Sequence, residues 1–160
     1  MDLRRLRAGE WMAAVSGAAL VVALFVPWYE AGGETLSAWR SFALIDVLLA
    51  LVALTTLALP VLTAGQRVPA VPIALSAFVT IAGLIGVLLV LTRAANLPGA
   101  AEGREWGLWL GLAAAAGVVA AGAVAMRDER LSPAGRHTDL TGRPTPPPPE
   151  IERLRAPRPE

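Results

Sequence analysis

One acidic side chain, Asp46, interrupts an otherwise apolar stretch of this 160-residue chain, and it is the residue best placed to do chemistry. A carboxylate costs a few kcal/mol at the centre of a bilayer and less near the interface, so its position needs a cause. One interpretation is a cation or proton site with Arg40, Glu30 or Glu34 nearby. The other is structural, because Asp46 could cap a helix that begins at Val47 or pair with Arg40. Its shallow depth favours the structural interpretation.

Aromatic residues accompany these charges along the chain. Trp28 and Tyr29 directly precede Glu30, and Trp39 directly precedes Arg40. Tryptophan and tyrosine favour the membrane–water interface because the ring is apolar while its polar group needs water, so anchoring is favoured over ligand stacking. Together these residues form a candidate polar and aromatic site. It comprises Trp28, Tyr29, Glu30, Glu34, Trp39, Arg40 and Asp46.

Composition excludes several kinds of chemistry. The chain has no cysteine, which rules out disulfides, thiolate metal sites and thiol redox chemistry. Its one histidine, His137, lies in a polar C-terminal segment, so the apolar stretches offer haem no imidazole and contain no Ser-His catalytic pair. The sequence has no phosphate loop, acid-rich metal motif or nucleic-acid signature. We therefore expect a protein that is not an enzyme, with no cofactor, no metal site and no nucleic-acid partner.

Four apolar stretches make up most of the chain. A hydrocarbon core about 30 Å thick requires about 20 helical residues. The predicted spans are residues 11–28, 42–62, 71–92 and 106–126. A cleaved signal peptide is the alternative for the first and shortest stretch, but bulky and charged residues follow it where cleavage needs small ones. The predicted fold class for residues 1–126 is an all-α membrane protein, a bundle of four transmembrane helices.

Arginine placement predicts the orientation. Of the 14 basic residues, all arginine, eleven precede the first span, lie between the second and third, or follow the fourth. The other three are Arg40, Arg93 and Arg104, and they share their loops with acids. Because cytoplasmic segments carry the excess of arginine, we expect a multi-pass protein of a bacterial plasma membrane with both termini in the cytoplasm.

Two segments outside the spans have distinctive compositions. In the first outer loop, Gly32 and Gly33 predict a turn, and Leu36, Trp39 and Ala43 recur at helical spacing, which predicts a short interfacial helix. Residues 127–160 hold most of the prolines and few large aliphatic side chains. Such a segment cannot bury enough surface to offset its ordering entropy, so we expect a disordered, Pro- and Arg-rich cytoplasmic tail.

Small residues within the apolar stretches predict where helices pack closely. Lipid provides no hydrophobic drive between helices, and close approach of their backbones holds a bundle together. The predicted packing faces are Ala13 and Gly17 in the first span, Ser76, Thr80 and Gly83 in the third, and Gly107, Gly111, Ala114, Val118 and Gly122 in the fourth. Packing within one chain is the expected use of these faces, and a homo-oligomer is the alternative.

One loose motif carries a family resemblance. It consists of the segments 26–29, Val-Pro-Trp-Tyr, and 37–39, Ser-Ala-Trp, followed by Phe42 and Asp46 at the start of the second span. In these features the chain resembles small four-helix integral membrane proteins of unknown function, of the actinobacterial type. The resemblance covers the first two spans and their loop. It implies a helical membrane protein in which the aromatic loop and Asp46 form one unit, and it carries over no activity.

Two functions remain as hypotheses from the sequence. The first is a non-enzymatic accessory or scaffold protein of the cell envelope, embedded in the lipid bilayer and binding another envelope protein through its C-terminal tail. The absence of catalytic groups and the long tail favour it. The alternative is a small transporter or ion-coupled channel in which Asp46 is the charged site.

Overall fold

A computed structural model describes residues 6–41, 44–65, 70–99 and 101–130. This part of the chain is mostly helical, with four α-helices and one small antiparallel sheet. The elements in chain order are α1 (Ala8–Ala23), β1 (Pro27–Ala31), β2 (Glu34–Ser37), a 3₁₀ helix (Trp39–Ser41), α2 (Leu44–Gly65), α3 (Ala70–Ala95), β3 (Gly103–Arg104) and α4 (Trp106–Arg130). The sheet makes the expectation of an all-α fold incomplete.

Three of the helices are long and apolar enough to cross a membrane. The qualifying segments are Leu44–Ala64 in α2, Ala74–Ala95 in α3 and Trp106–Arg127 in α4. The first helix, α1, is also apolar but has 16 residues, which is roughly 24 Å of helix. It begins with a backbone cap, because the N–H of Arg7 donates to Oε2 of Glu10 at 2.9 Å.

The helices pack as neighbours through their small residues. Helix α1 packs against α2 and α4, and α3 packs against the same two helices. A Cβ atom placed on Gly9 of α1 would lie 2.5 Å from the backbone nitrogen of Ala125 in α4, so the two helices touch backbone to backbone there. Gly122 of α4 has the same relation to α3, where a Cβ would meet the Ser76 carbonyl oxygen at 2.9 Å. Close packing is confirmed for the predicted residue Gly122, and Gly9 is a further close contact outside the predicted set.

The sheet joins two loops that are far apart in sequence. Strand β1 lies in the middle, with β2 antiparallel on one side and β3 antiparallel on the other. Gly32 and Gly33 form the two-residue turn between β1 and β2 with φ of 59° and 80°, the left-handed values that favour glycine in a type I′ hairpin. The amide of Glu102 donates to the Glu30 carbonyl at 2.8 Å, extending the contact with the second loop. We call this end of the helices the sheet end.

Three expectations about element boundaries are corrected. The interfacial helix predicted over residues 36–43 is wrong in its first part, since Leu36 lies in β2 and helical geometry begins only with the 3₁₀ turn at Trp39. Helix α2 begins at Leu44, so Asp46 lies inside its first turn and does not precede it. Helix α4 continues to Arg130, beyond the expected start of the tail, and residues 131–160 lie outside the described residues.

Large apolar side chains are exposed on all four helices. Helices α1, α2 and α3 each present aliphatic side chains that are more than half exposed, including Val15 at 67%, Leu54 at 60% and Leu88 at 62%. On α4 the exposed large residues are Trp106 and Trp109, each at 55%. Water-soluble proteins rarely expose so much contiguous apolar surface, and such a surface is typical of proteins that contact lipid.

Candidate functional site

The centre of the candidate site is a buried ion pair. Asp46 lies in the first turn of α2 and Arg93 in the last turn of α3, and Nη2 of Arg93 donates to Oδ2 of Asp46 at 3.1 Å. Asp46 is 1% exposed and Arg93 is 7% exposed. The pair explains why an acid is stable at this depth, because each charge is compensated by the other and hydrogen-bonded to it.

This pairing differs from the one that the sequence suggested. Arg40, the expected partner, is exposed in the 3₁₀ turn, whereas Arg93 reaches Asp46 from the neighbouring helix. Asp46 also does not occupy the capping position in front of its helix, since α2 begins at Leu44. Of the two interpretations drawn from the sequence, the pairing therefore supports the structural role, with a different arginine.

Tyr29 connects the ion pair to the sheet. The tyrosine is fully buried in β1, and its hydroxyl donates to the backbone carbonyl of Arg93 at 3.4 Å. Burial raises the pKa of the Tyr29 hydroxyl, a shift opposed by Arg93 and supported by the carboxylate of Asp46. The phenol therefore stays protonated at neutral pH and acts as a hydrogen-bond donor.

The sheet supplies hydrogen-bond donors to the ends of two helices. The indole nitrogen of Trp28 donates to the carbonyl of Ala23, the last residue of α1, at 2.6 Å. Nε of Arg104 in β3 donates to the carbonyl of Ala94 at the end of α3, beside the bond from Tyr29 to the preceding carbonyl. Carbonyls at a helix C-terminus have no partner within the helix, so these side chains supply the missing donors.

Trp28 is fixed by its packing as well as by its hydrogen bond. The ring is 0% exposed and lies against Gly111 of α4, where a Cβ atom would come within 2.7 Å of Cζ2 of the indole. Gly107, one turn earlier, lies against the carbonyl of Pro27 in the same way. Two glycines of α4 therefore make room for the start of β1, and the position of the sheet depends on them.

Trp39 is the least constrained of the site's aromatic residues. It packs against the cluster that contains Trp28 and Tyr29, with its ring centroid 6.0 Å from that of Phe25. Its indole nitrogen is buried and has no hydrogen-bond partner within the described part of the chain, as is also true of Nε of Arg93. Phe25 is 66% exposed, so this edge of the site borders the exposed apolar surface of the helices.

The predicted site is only partly assembled. The structure brings Trp28, Tyr29, Trp39 and Asp46 together under the sheet, whereas Glu30, Glu34 and Arg40 are exposed around it. The residues that the sequence reasoning missed are Arg93 and Arg104, which supply the positive charge and a helix cap. Among the residues that the structure describes, no group of three or more His, Asp or Glu side chains is placed to hold a metal ion.

The resulting arrangement is electrically balanced. It holds one carboxylate, one guanidinium and a protonated phenol, all buried where the ends of α2 and α3 meet β1. No family model matches this chain, and neither does any curated protein or solved structure.

Proposed function

We propose that this chain is a four-span integral membrane protein of a bacterial plasma membrane and serves as a non-enzymatic accessory or scaffold protein of the envelope. The first span is the shortest, and its own surface supports its place in the bilayer. Val15, Val22 and Phe25 are 67%, 56% and 66% exposed, as expected for a face in contact with lipid.

The opposite face of α1 supports the same placement. Ala13, Leu20 and Ala23 are 0% exposed because α1 lies between α2 and α4. A helix of roughly 24 Å is shorter than a hydrocarbon core of about 30 Å, and local thinning of the bilayer compensates for such a difference at modest cost. The first helix therefore belongs to the same bundle and crosses the membrane with the others.

Charge distribution supports an orientation with the sheet end outside and both termini in the cytoplasm. Of the three arginines at the sheet end, Arg93 is neutralised by Asp46, and Arg104 is bound to a helix carbonyl. Arg40 alone among these three is exposed without such a contact in the part of the chain that the structure describes. The sheet end also carries the acids Glu30, Glu34, Asp46, Glu102 and Glu105, which outnumber its three arginines. The excess of arginine therefore belongs to the opposite end, which the positive-inside rule assigns to the cytoplasm.

The scaffold role is supported by one observation above all, the internal neutralisation of Asp46 by Arg93. A carboxylate that carries ions or protons has to exchange partners, whereas this one is tied to a neighbouring helix and covered by Tyr29 and the sheet. Breaking such a pair by removing one partner costs about 3–5 kcal/mol. The acid therefore serves to hold the sheet end together, and partner binding is assigned to the C-terminal tail, residues 131–160.

A truncation tests this role. The full-length protein and a variant ending at residue 130 are crosslinked in membranes and purified, and a third variant carries residues 131–160 in shuffled order as a control for length and composition. We expect envelope partners to be recovered with the full-length chain and lost with both altered chains, while all three remain in the membrane fraction. An identical set of partners for the three proteins would contradict the tail assignment.

Flux measurements distinguish the scaffold proposal from the transporter alternative. Purified protein is reconstituted into liposomes, and uptake of organic cations and of protons is compared for the wild type, Asp46→Asn and the exposed control Glu30→Gln. The scaffold proposal predicts that all three match empty liposomes. Uptake by the wild type that Asp46→Asn abolishes and Glu30→Gln retains would replace the scaffold proposal with a transporter.

A further inference from the structure

Strand β2 is an edge of the sheet with backbone groups available for pairing. The strand order is β2-β1-β3, and within the described residues no strand lies on the other side of β2. The carbonyl of Glu30 faces β3, where it accepts the amide of Glu102. Thr35 is opposite Glu30 in the β1–β2 register, so its own N–H and C=O point the other way, towards the free edge. Thr35 is exposed, which leaves both groups accessible.

The sheet lies across the ends of the helices, so its free edge points sideways. Tyr29 and Leu36, opposite each other in β1 and β2, belong to the apolar cluster formed with the helix ends. Glu30 and Thr35, the next pair along, face away from the helices. The sheet normal therefore runs roughly along the helices, and a molecule at the same height beside this one meets the edge of β2.

A second copy of the chain is the partner whose geometry fits that edge. This step rests on the proposed membrane placement, because two copies in one bilayer share their orientation and depth. A two-fold axis along the membrane normal then brings β2 of one copy beside β2 of the other in antiparallel direction. Thr35 lies opposite Thr35 of the second copy, and their N–H and C=O groups face each other as a hydrogen-bonded pair.

Charges at the two ends of β2 favour the same antiparallel arrangement. Glu34 begins the strand at the hairpin tip, and Arg40 follows its other end in the 3₁₀ turn. Both side chains are exposed. Antiparallel pairing directs the Glu34 end of each copy towards the Arg40 end of the other, whereas parallel pairing would place like charges together. We infer that β2 is a self-association seam through which two copies form one continuous six-stranded sheet.

Disulfide trapping tests the seam directly, because the natural chain has no cysteine. In the proposed pairing the Cα atoms of the two Thr35→Cys residues lie about 5.5 Å apart, which is within the Cα–Cα range that a disulfide spans. Glu30→Cys is the matched control, exposed on the same face of the sheet but one strand further in, where the two copies are about 14 Å apart. Membranes containing each variant are oxidised and resolved without reductant. We expect a covalent dimer from Thr35→Cys and only monomer from Glu30→Cys.

A second variant tests the pairing without a crosslink. Thr35→Pro removes an N–H that points away from β1 and that none of the described strands of the same copy uses, so the hairpin is retained while the free edge loses its donor. We expect the wild type to migrate as a dimer in mild detergent and Thr35→Pro as a monomer. The seam is excluded if the membrane-bound protein gives no Thr35→Cys dimer, or if Thr35→Pro stays dimeric. Absence of the protein from the membrane fraction would instead overturn the proposed function, so the two failures are distinguishable.

Discussion

Arg93 of α3 and Asp46 of α2 are hydrogen-bonded across 3.1 Å at the same end of two adjacent helices. Each residue also suits its own helix, since the acid lies at the positive N-terminal end of α2 and the base at the negative C-terminal end of α3. Tyr29 then joins the pair to the sheet through the Arg93 carbonyl. The contact fixes the sheet end of the molecule, and its removal should be felt as lost stability.

The first prediction concerns that pair. Arg93→Met leaves the Asp46 carboxylate buried without its partner, and Asp46→Leu leaves the guanidinium in the same situation. Each single change should lower the free energy of unfolding by about 3–5 kcal/mol, and the double variant should lose much less than the sum, because an apolar pair carries no desolvated charge. Denaturant-induced unfolding in detergent measures the free energy of unfolding of the wild type, the two single variants and the double variant.

The exposed arginine of the 3₁₀ turn provides the control for the ion pair. Arg40→Met should change the stability by no more than about 0.5 kcal/mol, as expected for a surface position. Strict additivity of the Asp46 and Arg93 substitutions would show that the two side chains do not stabilise each other.

The second prediction concerns the glycine beneath Trp28. Gly111→Ala places a methyl group 2.7 Å from Cζ2 of the indole, so Trp28 must move and the sheet with it. In an unconstrained helix the same change stabilises by about 1 kcal/mol, but here overpacking should cost about 1–3 kcal/mol. Gly86→Ala is the matched control, since its methyl would find ordinary contact at 3.5 Å from Val52. Thermal unfolding that is unchanged or raised by Gly111→Ala would contradict the close packing.

The third prediction uses the chain's single tyrosine. Burial raises the pKa of Tyr29, so its ultraviolet titration in the folded protein should have a midpoint above the value of about 10 seen in the denatured chain. Because the neutral phenol is favoured by folding, its contribution to stability is complete below pH ~10 and is lost as the pH rises through the folded-state pKa. Tyr29→Phe should remove both the titration and this part of the alkaline loss of stability. Equal midpoints for folded and denatured protein would disprove the burial effect.

The fourth prediction concerns orientation. Glu34→Cys puts a single thiol on the exposed hairpin, and Ala8→Cys puts one on the exposed start of α1 at the opposite end. In spheroplasts an impermeant maleimide should label Glu34→Cys at once and Ala8→Cys only after detergent is added, because the proposed topology places the arginine-rich end in the cytoplasm. The reverse labelling pattern would invert the proposed topology.

The Asp46–Arg93 pair could be predicted from the sequence, but only by comparing residues on different helices. Asp46 follows the start of the second apolar stretch and Arg93 follows the end of the third, so antiparallel packing of these helices places both at one end. Arg40 is the arginine nearest to Asp46 in sequence, but its side chain is exposed in the 3₁₀ turn whereas the Asp46 side chain is buried against Arg93. A charge-pairing rule applied across helices, and not only within a loop, would have found Arg93.

The sheet was harder to foresee than the helices. Trp28 and Tyr29, followed by Gly32-Gly33 and Thr35, carry the signal of a two-residue hairpin, and that signal was available. The helical spacing of Leu36 and Trp39 competed with it and predicted the wrong element. Strand β3 has two residues, too few for any periodic pattern, and it exists only because the connection before α4 passes beside β1.

The pairing of β1 with β3 sets an order on biogenesis. Glu30 is synthesised early. Its carbonyl accepts a hydrogen bond from the amide of Glu102, which is synthesised only after α3 is complete. In a nascent chain the β1–β2 hairpin is therefore complete before its third strand is made, and closure of the sheet coincides with synthesis of the last helix. If translation stops before residue 102, the first three helices lack β3 and the three-stranded sheet cannot form.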